Sequence, residues 1–178
     1  EDALGALGCA HCRAAESARV LIGGLGMGFT LSAALDSLPK DAKIDVAELV
    51  PGVVDWNREI LGGCAGEPLL DKRVQVTIAD VAELINRASD EYDAILLDVD
   101  NGPEGLTHSE NDELYSLQGL EMAYRALRKS GVLAVWSATS APRFTTLLKK
   151  AGFLVNEQHV RAHKGKGSRH VIWLASRS

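Results

Sequence analysis

A glycine-rich turn between an apolar run and a helical pattern constrains this chain more than any other feature. Residues 19–28 are RVLIGGLGMG, so a short buried strand leads into glycines at 23, 24, 26 and 28. A helix-forming segment follows at 29–38, and KIDVAELV at 43–50 indicates a second strand with Glu48 near its carboxyl end. Strand, glycine turn, helix, and then a strand ending in an acid predict the first half of a nucleotide-binding α/β sheet.

The spacing of the glycines narrows the kind of ligand. Gly24, Gly26 and Gly28 follow G-x-G-x-G, whereas dinucleotide binders follow G-x-G-x-x-G. These three glycines, and Gly23 before them, let the backbone approach a ligand closely. Glu48 is placed to accept hydrogen bonds from ribose hydroxyls. The shorter spacing favours a nucleoside without a pyrophosphate, for which S-adenosylmethionine is the obvious candidate. The alternative is a tight strand-to-helix turn that binds nothing.

The alternation of strands and helices continues along the chain and predicts one α/β domain over residues 1–178. No helix separates the last two strands, so the loop 161–169 should join antiparallel neighbours. We expect a Rossmann-like, doubly wound, seven-stranded sheet that is mostly parallel, with one antiparallel strand in a C-terminal hairpin. The predicted strands cover 20–22, 43–50, 74–78, 92–98, 131–137, 153–160 and 170–176, and the predicted helices cover 29–38, 52–61, 81–88, 113–128 and 143–151.

Acids follow three of the predicted strands. Ligands in such a sheet lie at the carboxyl ends of the strands, where Glu48, Asp80 and Asp98 stand. A buried carboxylate without a partner is costly, so we expect a hydroxyl partner for Glu48. Asp80 opens a predicted helix, and the alternative for it is an N-cap.

The fourth strand end carries the strongest negative charge. Asp98 and Asp100 are two of nine acids between residues 90 and 113, and no lysine or arginine occurs from 88 to 124. Such a cluster attracts cations, so a cationic amine or polyamine would suit it, as would magnesium or calcium. We expect an amine and no metal, because residues 101–103 supply no third firm metal ligand. A solvated turn at 100–103 is the remaining alternative.

Five segments together resemble a known family. They are VLIGGLGMG, AELVPGVVDWNREIL, ADVAELI, YDAILLDVDNGPEGL and NDELYS. Over about residues 19–136 the chain resembles the catalytic domain of spermidine synthase and related aminopropyltransferases. The resemblance implies a methyltransferase-like fold and transfer of an aminopropyl group from decarboxylated S-adenosylmethionine to putrescine or another polyamine, with methylthioadenosine released.

The resemblance also assigns residues to the nucleoside. It implies that Glu48, with Leu49 beside it, binds the ribose hydroxyls. Asp80 and Val81 would contact the adenine, and Pro103 would border the pocket.

A second set of residues would serve the amine. The resemblance implies that Asp98 holds the attacking amine and helps to deprotonate it. Asp100 is the second predicted carboxylate there, and Tyr115 is predicted to contact the substrate at the start of the flanking helix. An amine must lose its proton to act as a nucleophile, so a carboxylate base fits this chemistry.

The residues leave other functions open. The family's glycine loop, GGGDGG, carries an acid that engages the aminopropyl amine, and Gly26 stands in its place here. A methyltransferase that uses ordinary S-adenosylmethionine, or an inactive nucleoside-binding protein, is therefore the alternative. The family's small N-terminal β-domain, which often builds oligomers, has no counterpart in these residues, and a homodimer is the assembly considered.

Cysteine usage and apolar runs bear on compartment and partners. Cys9, Cys12 and Cys64 are an odd number, which favours a reducing compartment such as the cytoplasm. Cys9 and Cys12 have the spacing of half a zinc site, but packing under the sheet is the expected role. No apolar run approaches the length of a membrane span, so no membrane partner is expected. The basic loop 161–170 lacks aromatic residues, so we expect a solvated hairpin tip and no nucleic-acid partner.

Overall fold

A seven-stranded sheet carries helices on both faces. The computed structural model describes residues 1–99, 113–163 and 166–178, with side chains for all of these except 162, 163 and 166–169. The strands are β1 Arg19–Gly23, β2 Lys43–Glu48, β3 Val74–Ile78, β4 Tyr92–Leu97, β5 Leu127–Ser137, β6 Leu154–His163 and β7 Lys166–Ser176. The described α-helices are α1 Asp2–Gly8, α2 Phe29–Ser37, α3 Pro51–Trp56, α4 Val81–Arg87, α5 Leu117–Ala126 and α6 Pro142–Lys150.

The order of the strands is β3-β2-β1-β4-β5-β7-β6. The first five strands in this order are parallel to one another, and β7 pairs antiparallel with both β5 and β6. The predicted fold class is therefore confirmed. Successive strands are added on one side of β1 up to β3 and on its other side from β4 onward. The crevice beyond the carboxyl ends of β1 and β4, at this change of side, is where such folds bind ligands.

Two apolar cores lie on opposite faces of the sheet, because side chains alternate along each strand. Leu21 faces a core with α4, α5 and α6, whereas its neighbour Ile22 faces a core with α1, α2 and α3. The central strands are buried on both faces, which explains their unbroken apolar runs. No described helix has the length and apolar character that a bilayer crossing requires.

Helix α1 was not predicted. It packs on α2 through small residues, since a Cβ on Gly5 would lie 2.5 Å from the carbonyl oxygen of Thr30. At Gly8, an added Cβ would lie 2.2 Å from a methyl group of Leu96 on β4. A helix of seven residues that packs through glycines has little apolar periodicity to reveal it.

The predicted helix 113–128 is interrupted near its start and too long at its end, since residues 113 and 114 are helical but 115 and 116 are not. Ser116 caps α5, its hydroxyl accepting a hydrogen bond from the amide of Gly119 over 3.1 Å. At the other end, Leu127 is extended and begins β5 by pairing with Tyr92. The predicted helix 52–61 also changes character, because α3 ends at Trp56 and a π-helical turn, Asn57–Leu61, continues it.

The C-terminal hairpin is longer than predicted. The strands β6 and β7 extend to His163 and Lys166, which are paired, so most of the predicted loop 161–169 belongs to the two strands. Backbone hydrogen bonds hold this outer part of the hairpin. The prediction rested on apolar patterning, which ends before the strands do. Trp173 of β7 is fully buried and anchors the hairpin.

Candidate active site

The glycine turn after β1 is tied to both neighbouring strands. The amide of Gly24 donates to the carbonyl oxygen of Ala47 in β2 over 2.9 Å. The amide of Asp98, just past β4, donates to the carbonyl oxygen of Gly23 over 2.9 Å. The carboxyl ends of β1, β2 and β4 therefore meet at one edge, and the turn lies across that edge.

The glycines of this turn have different reasons to be glycine. Gly24 has φ +89°, and a Cβ there would lie 2.4 Å from the carbonyl oxygen of Asp98. Gly26 has φ +50°, yet a Cβ there would meet no atom of the described residues within 4 Å. Gly28 is the N-cap of α2, and a Cβ on Gly23 would lie 2.8 Å from Val81. Packing thus requires Gly24, whereas the part of the chain that the structure describes leaves room for a side chain at Gly26.

Glu48 is buried against the backbone at the end of β2. It is 8% exposed, and its Oε2 accepts a hydrogen bond from the amide of Leu25 over 2.8 Å. Its Oε1 accepts one from the amide of Val50 over 2.9 Å. Two backbone amides thus satisfy the carboxylate within the described chain, and the hydroxyl partner expected from the sequence stays a prediction. Each oxygen keeps a further lone pair, so ribose hydroxyls can still bind.

The other residues predicted for the nucleoside lie nearby along the same edge. Leu49 and Val50 follow Glu48 and are 61% and 52% exposed, so they offer apolar surface beside the buried acid. Asp80 is the N-cap of α4, its Oδ1 accepting a hydrogen bond from the amide of Ala82 over 2.8 Å. The N-cap alternative for Asp80 is therefore realised. Val81 is buried and packs on Gly23.

Asp98 stands at the end of β4 and is hydrogen-bonded to a side chain of α2. Its Oδ2 accepts a hydrogen bond from Oγ1 of Thr30 over 2.6 Å. Burial, and then the negative charge of Asp98, raise the pKa of Tyr115 well above its usual value, so the phenol stays protonated. Among the residues that the structure describes, the Tyr115 hydroxyl has no hydrogen-bond partner. Asp100 and Pro103, also predicted for the site, lie outside the described residues.

Sequence reasoning missed Asn57, which begins the π-helical turn. Its side chain is buried at 3% exposure, and Nδ2 donates to the carbonyl oxygens of Gly26 over 2.7 Å and Val53 over 2.9 Å. Asn57 therefore ties the glycine turn to α3. The sequence does give one indication of Asn57. In GVVDWNREIL it is a polar residue on an otherwise apolar helical face, which it shares with Val53 and Val54.

The cysteines of the half zinc motif lie away from this edge. Cys9 and Cys12 are buried near α1, and Cys64 is exposed; all three are free thiols. Burial raises the pKa of both buried thiols to about 12. Within residues 1–99, 113–163 and 166–178, no group of three or more His, Cys, Asp or Glu side chains is arranged to hold a metal ion.

Known structures share this architecture. A spermidine synthase in complex with the transition state analogue AdoDATO has a TM-score of 0.74 at 20% identity, covering 99% of this chain and 58% of that chain. The spermidine synthase from Thermotoga maritima has the same TM-score at 19% identity, covering 100% and 60%. A precorrin-6y C5,15-methyltransferase from Geobacter metallireducens GS-15 has 0.70 at 18%, covering 98% and 87%. These likenesses establish the fold.

Sequence comparison is more specific. Two polyamine aminopropyltransferases from Prochlorococcus marinus, strains AS9601 and MIT 9312, are 31% and 30% identical over 123 residues. The match covers 68% of this chain and 41% of each relative, so the chain spans about two fifths of their length. Residues 7–146 match the family described as the spermine/spermidine synthase domain. The predicted resemblance is confirmed, and the chain belongs to the spermine/spermidine synthase domain family.

Proposed function

We propose that this chain transfers an aminopropyl group from decarboxylated S-adenosylmethionine to a diamine or polyamine such as putrescine. The observation that carries the proposal is Asp98, which lies at the ligand-binding edge of the sheet, beside the glycine turn and Tyr115, in a chain of this family. The aminopropyltransferase relatives support the same reaction.

The nucleoside would occupy the crevice beside the glycine turn. In this proposal Gly23, Gly24, Gly26 and Gly28 bring the backbone close to the ligand, and Glu48 accepts hydrogen bonds from the ribose. The exposed apolar surface of Leu49 supports the assignment, because a flat adenosine needs such a surface beside its polar contacts. Asp80 and Val81 would contact the adenine from α4, and Pro103 would border it.

The chemistry needs a base and little else. The lone pair of the amine nitrogen forms a bond to the carbon attached to the sulfonium sulfur, and the carbon–sulfur bond breaks as its electrons neutralise the sulfur. Methylthioadenosine leaves as a neutral thioether, so no oxyanion has to be stabilised. Asp98 would accept the proton that the amine loses, and Asp100 and Tyr115 would hold the amine. Tyr115 can do so as an acceptor through its oxygen or as a donor, since it stays protonated.

The test is product analysis with a matched pair of variants. The chain is incubated with putrescine and decarboxylated S-adenosylmethionine, and mass spectrometry follows spermidine and methylthioadenosine. Asp98→Asn keeps the shape and removes the base, so turnover should fall by about 10²–10⁴-fold. Asp36→Asn, which changes an exposed carboxylate on α2, should leave turnover unchanged. Full activity in Asp98→Asn, or no product from the unaltered chain, would refute the proposal.

Methyl transfer is the second candidate, and Gly26 favours it. The family's acid at this position would engage the aminopropyl amine and disfavour the carboxylate of ordinary S-adenosylmethionine. Here no atom of the residues that the structure describes lies within 4 Å of an added Cβ, so these residues leave room beside Gly26 for that carboxylate. Asp and Asn tolerate a positive φ, so Gly26→Asp and Gly26→Asn can be compared directly. Calorimetry should show that only Gly26→Asp shifts binding from ordinary to decarboxylated S-adenosylmethionine.

Two further proposals concern assembly and compartment. Free thiols at Cys9, Cys12 and Cys64 suit the reducing cytoplasm, in which we place the protein. A homodimer is the proposed assembly, and light scattering on the chain measures it. A scattering mass near 19 kDa, the mass of one chain, would refute the dimer.

A further inference from the structure

Thr30 presents a buried hydroxyl to the carboxylate at the end of β4. It lies in the first turn of α2 and is 2% exposed. Its Oγ1 is 2.6 Å from Oδ2 of Asp98 and 3.2 Å from the carbonyl oxygen of Glu1. The hydroxyl has one proton to donate, and the shorter contact is in the range of hydrogen bonds from a hydroxyl to a charged carboxylate. The Thr30 proton therefore goes to Asp98.

The backbone around this contact is fixed on both sides. The amide of Asp98 is bonded to the carbonyl oxygen of Gly23, and the Thr30 carbonyl packs against Gly5 of α1. The carboxylate itself turns about a soft torsion, because the last torsion of aspartate has broad, two-fold preferences. A hydrogen bond to Oδ2 removes that freedom.

We infer that Thr30 is a positioning residue, whose hydroxyl directs Oδ2 of Asp98 toward α2 and so fixes the orientation in which the carboxylate meets the amine. The inference rests on the proposed role of Asp98 as the base. In this inference Thr30 acts through Asp98, to which its hydroxyl is bonded, and takes no direct part in binding or in the reaction. Tyr115 also responds to this carboxylate, because the negative charge of Asp98 contributes to the raised pKa of its phenol.

The competing explanation is that Thr30 only fills space under α2. Thr30→Val separates the two, because valine keeps the branched shape and removes the hydroxyl. Thr30→Ser keeps the hydroxyl and removes a methyl group. Thr146→Val is the matched control, since the Thr146 hydroxyl donates to the carbonyl oxygen of Pro142 on the exposed face of α6.

The first measurement is independent of turnover. Carbon-13 NMR of the chain labelled at its aspartates follows the carboxyl resonance of Asp98 as the pH changes. This resonance is assigned by its absence from the spectrum of Asp98→Asn. A donated hydrogen bond favours the charged form, so its loss should move the Asp98 titration midpoint to higher pH in Thr30→Val. The midpoint should stay in place in Thr30→Ser and Thr146→Val.

The second measurement is catalysis. Thr30→Val should lower kcat on the order of tenfold, because a misoriented base reacts poorly, while calorimetric affinity for methylthioadenosine stays unchanged. Thr30→Ser should restore kcat. If Thr30→Val does not fold, Thr30→Ala and Thr30→Ser provide the same comparison.

The outcomes separate this inference from the proposed function. An Asp98 midpoint that is the same with and without the hydroxyl would overturn the inference, whatever the activity. A shifted midpoint in a chain that makes no spermidine would support the Thr30–Asp98 contact and refute aminopropyl transfer. Equal losses of kcat in Thr30→Val and Thr30→Ser would also overturn it, because packing would then be the cause.

Discussion

The side-chain nitrogen of Asn57 donates a hydrogen bond to the carbonyl oxygen of Gly26 over 2.7 Å and joins the π-helical turn to the tip of the glycine turn. The same nitrogen bonds the carbonyl oxygen of Val53 over 2.9 Å, so one amide group holds two segments together. π-Helical turns interrupt α-helices rarely and often do so at functional sites. Here the turn places Asn57 under the backbone to which we assign the nucleoside.

Asn57→Asp should loosen the glycine turn. Aspartate has the shape of asparagine but turns an acceptor toward two carbonyl oxygens, so both hydrogen bonds are lost. We expect the free energy of unfolding to fall by about 1–3 kcal/mol and the affinity for methylthioadenosine to fall with it. Asn86→Asp on the exposed face of α4 is the control. Urea unfolding and calorimetry measure the two effects, and wild-type affinity in a folded Asn57→Asp chain would exclude a role in binding.

Glu48→Gln should weaken the nucleoside more than it weakens the fold. Glutamine turns an NH₂ group toward the amide of either Leu25 or Val50, leaving one buried amide unpaired. The charge-assisted bonds to ribose are lost as well, so methylthioadenosine affinity should fall by about 1–3 kcal/mol. Glu59→Gln, at an exposed position in the π-helical turn, serves as the control in the same titration. Equal affinities in the two variants would contradict the assignment of Glu48.

Alanine at Gly24 and Gly26 should differ sharply in stability. At Gly24 the new Cβ would lie 2.4 Å from the carbonyl oxygen of Asp98, so the backbone of the site must shift. At Gly26 no atom of the described residues lies within 4 Å of the new Cβ, so the expected cost is the strain of the left-handed backbone conformation, about 1–2 kcal/mol. Urea unfolding should therefore place Gly26→Ala about 1–2 kcal/mol below the unaltered chain and Gly24→Ala well below Gly26→Ala. The same midpoint for both variants would show that space at Gly24 is not limiting.

The buried thiols should make the fold sensitive to alkali. Burial raises the pKa of Cys9 and Cys12 from 9.0 to about 12. Between these values the unfolded chain has lost the thiol protons and the folded chain still holds them, so the unfolded state binds fewer protons and stability falls as pH rises. The slope approaches about 1.4 kcal/mol per pH unit for each thiol. Urea unfolding between pH 8 and 11 measures it, and Cys12→Ala should reduce the slope.

A thiol reagent checks the burial that underlies this prediction. At pH 8, a disulfide reagent should modify Cys64 quickly in the folded chain, because that side chain is exposed. Cys9 and Cys12 should react only after denaturant is added. Three fast thiols in the native chain would remove the basis for the alkaline effect.

The parts of the fold that depend on apolar burial were predictable from the sequence. The runs around Leu21 and Ile95 identify the central strands, because these strands are covered on both faces. The glycine turn and Asp98 then follow from their positions just after β1 and β4. Leu127, by contrast, continues a helical pattern but is drawn into β5 by pairing with Tyr92, and local periodicity cannot report a pairing partner 35 residues away.

The site was only partly predictable for a similar reason. Glu48 and Asp98 are recognisable because an acid after an apolar strand is unusual. Thr30 and Asn57 are ordinary helix residues in the sequence, and their importance comes from hydrogen bonds to distant backbone or side chains. Asp80 differs from these two residues, because its side chain caps the helix that it begins, and such a local role can be recognised in the sequence.

The position of β7 in the sheet has a consequence for how the chain assembles during synthesis. β7 lies between β5 and β6 and hydrogen bonds to both, although it follows them in sequence. While the ribosome still holds β7, β6 has no neighbour in the sheet, and the edge of β5 that β7 later covers has no pairing strand. The sheet can grow from β1 through β5 as each strand emerges. The edge of β5 is covered only when β7, which carries Trp173, has been synthesised. A nascent chain stalled before this residue would therefore present an unpaired strand edge to chaperones and to other chains.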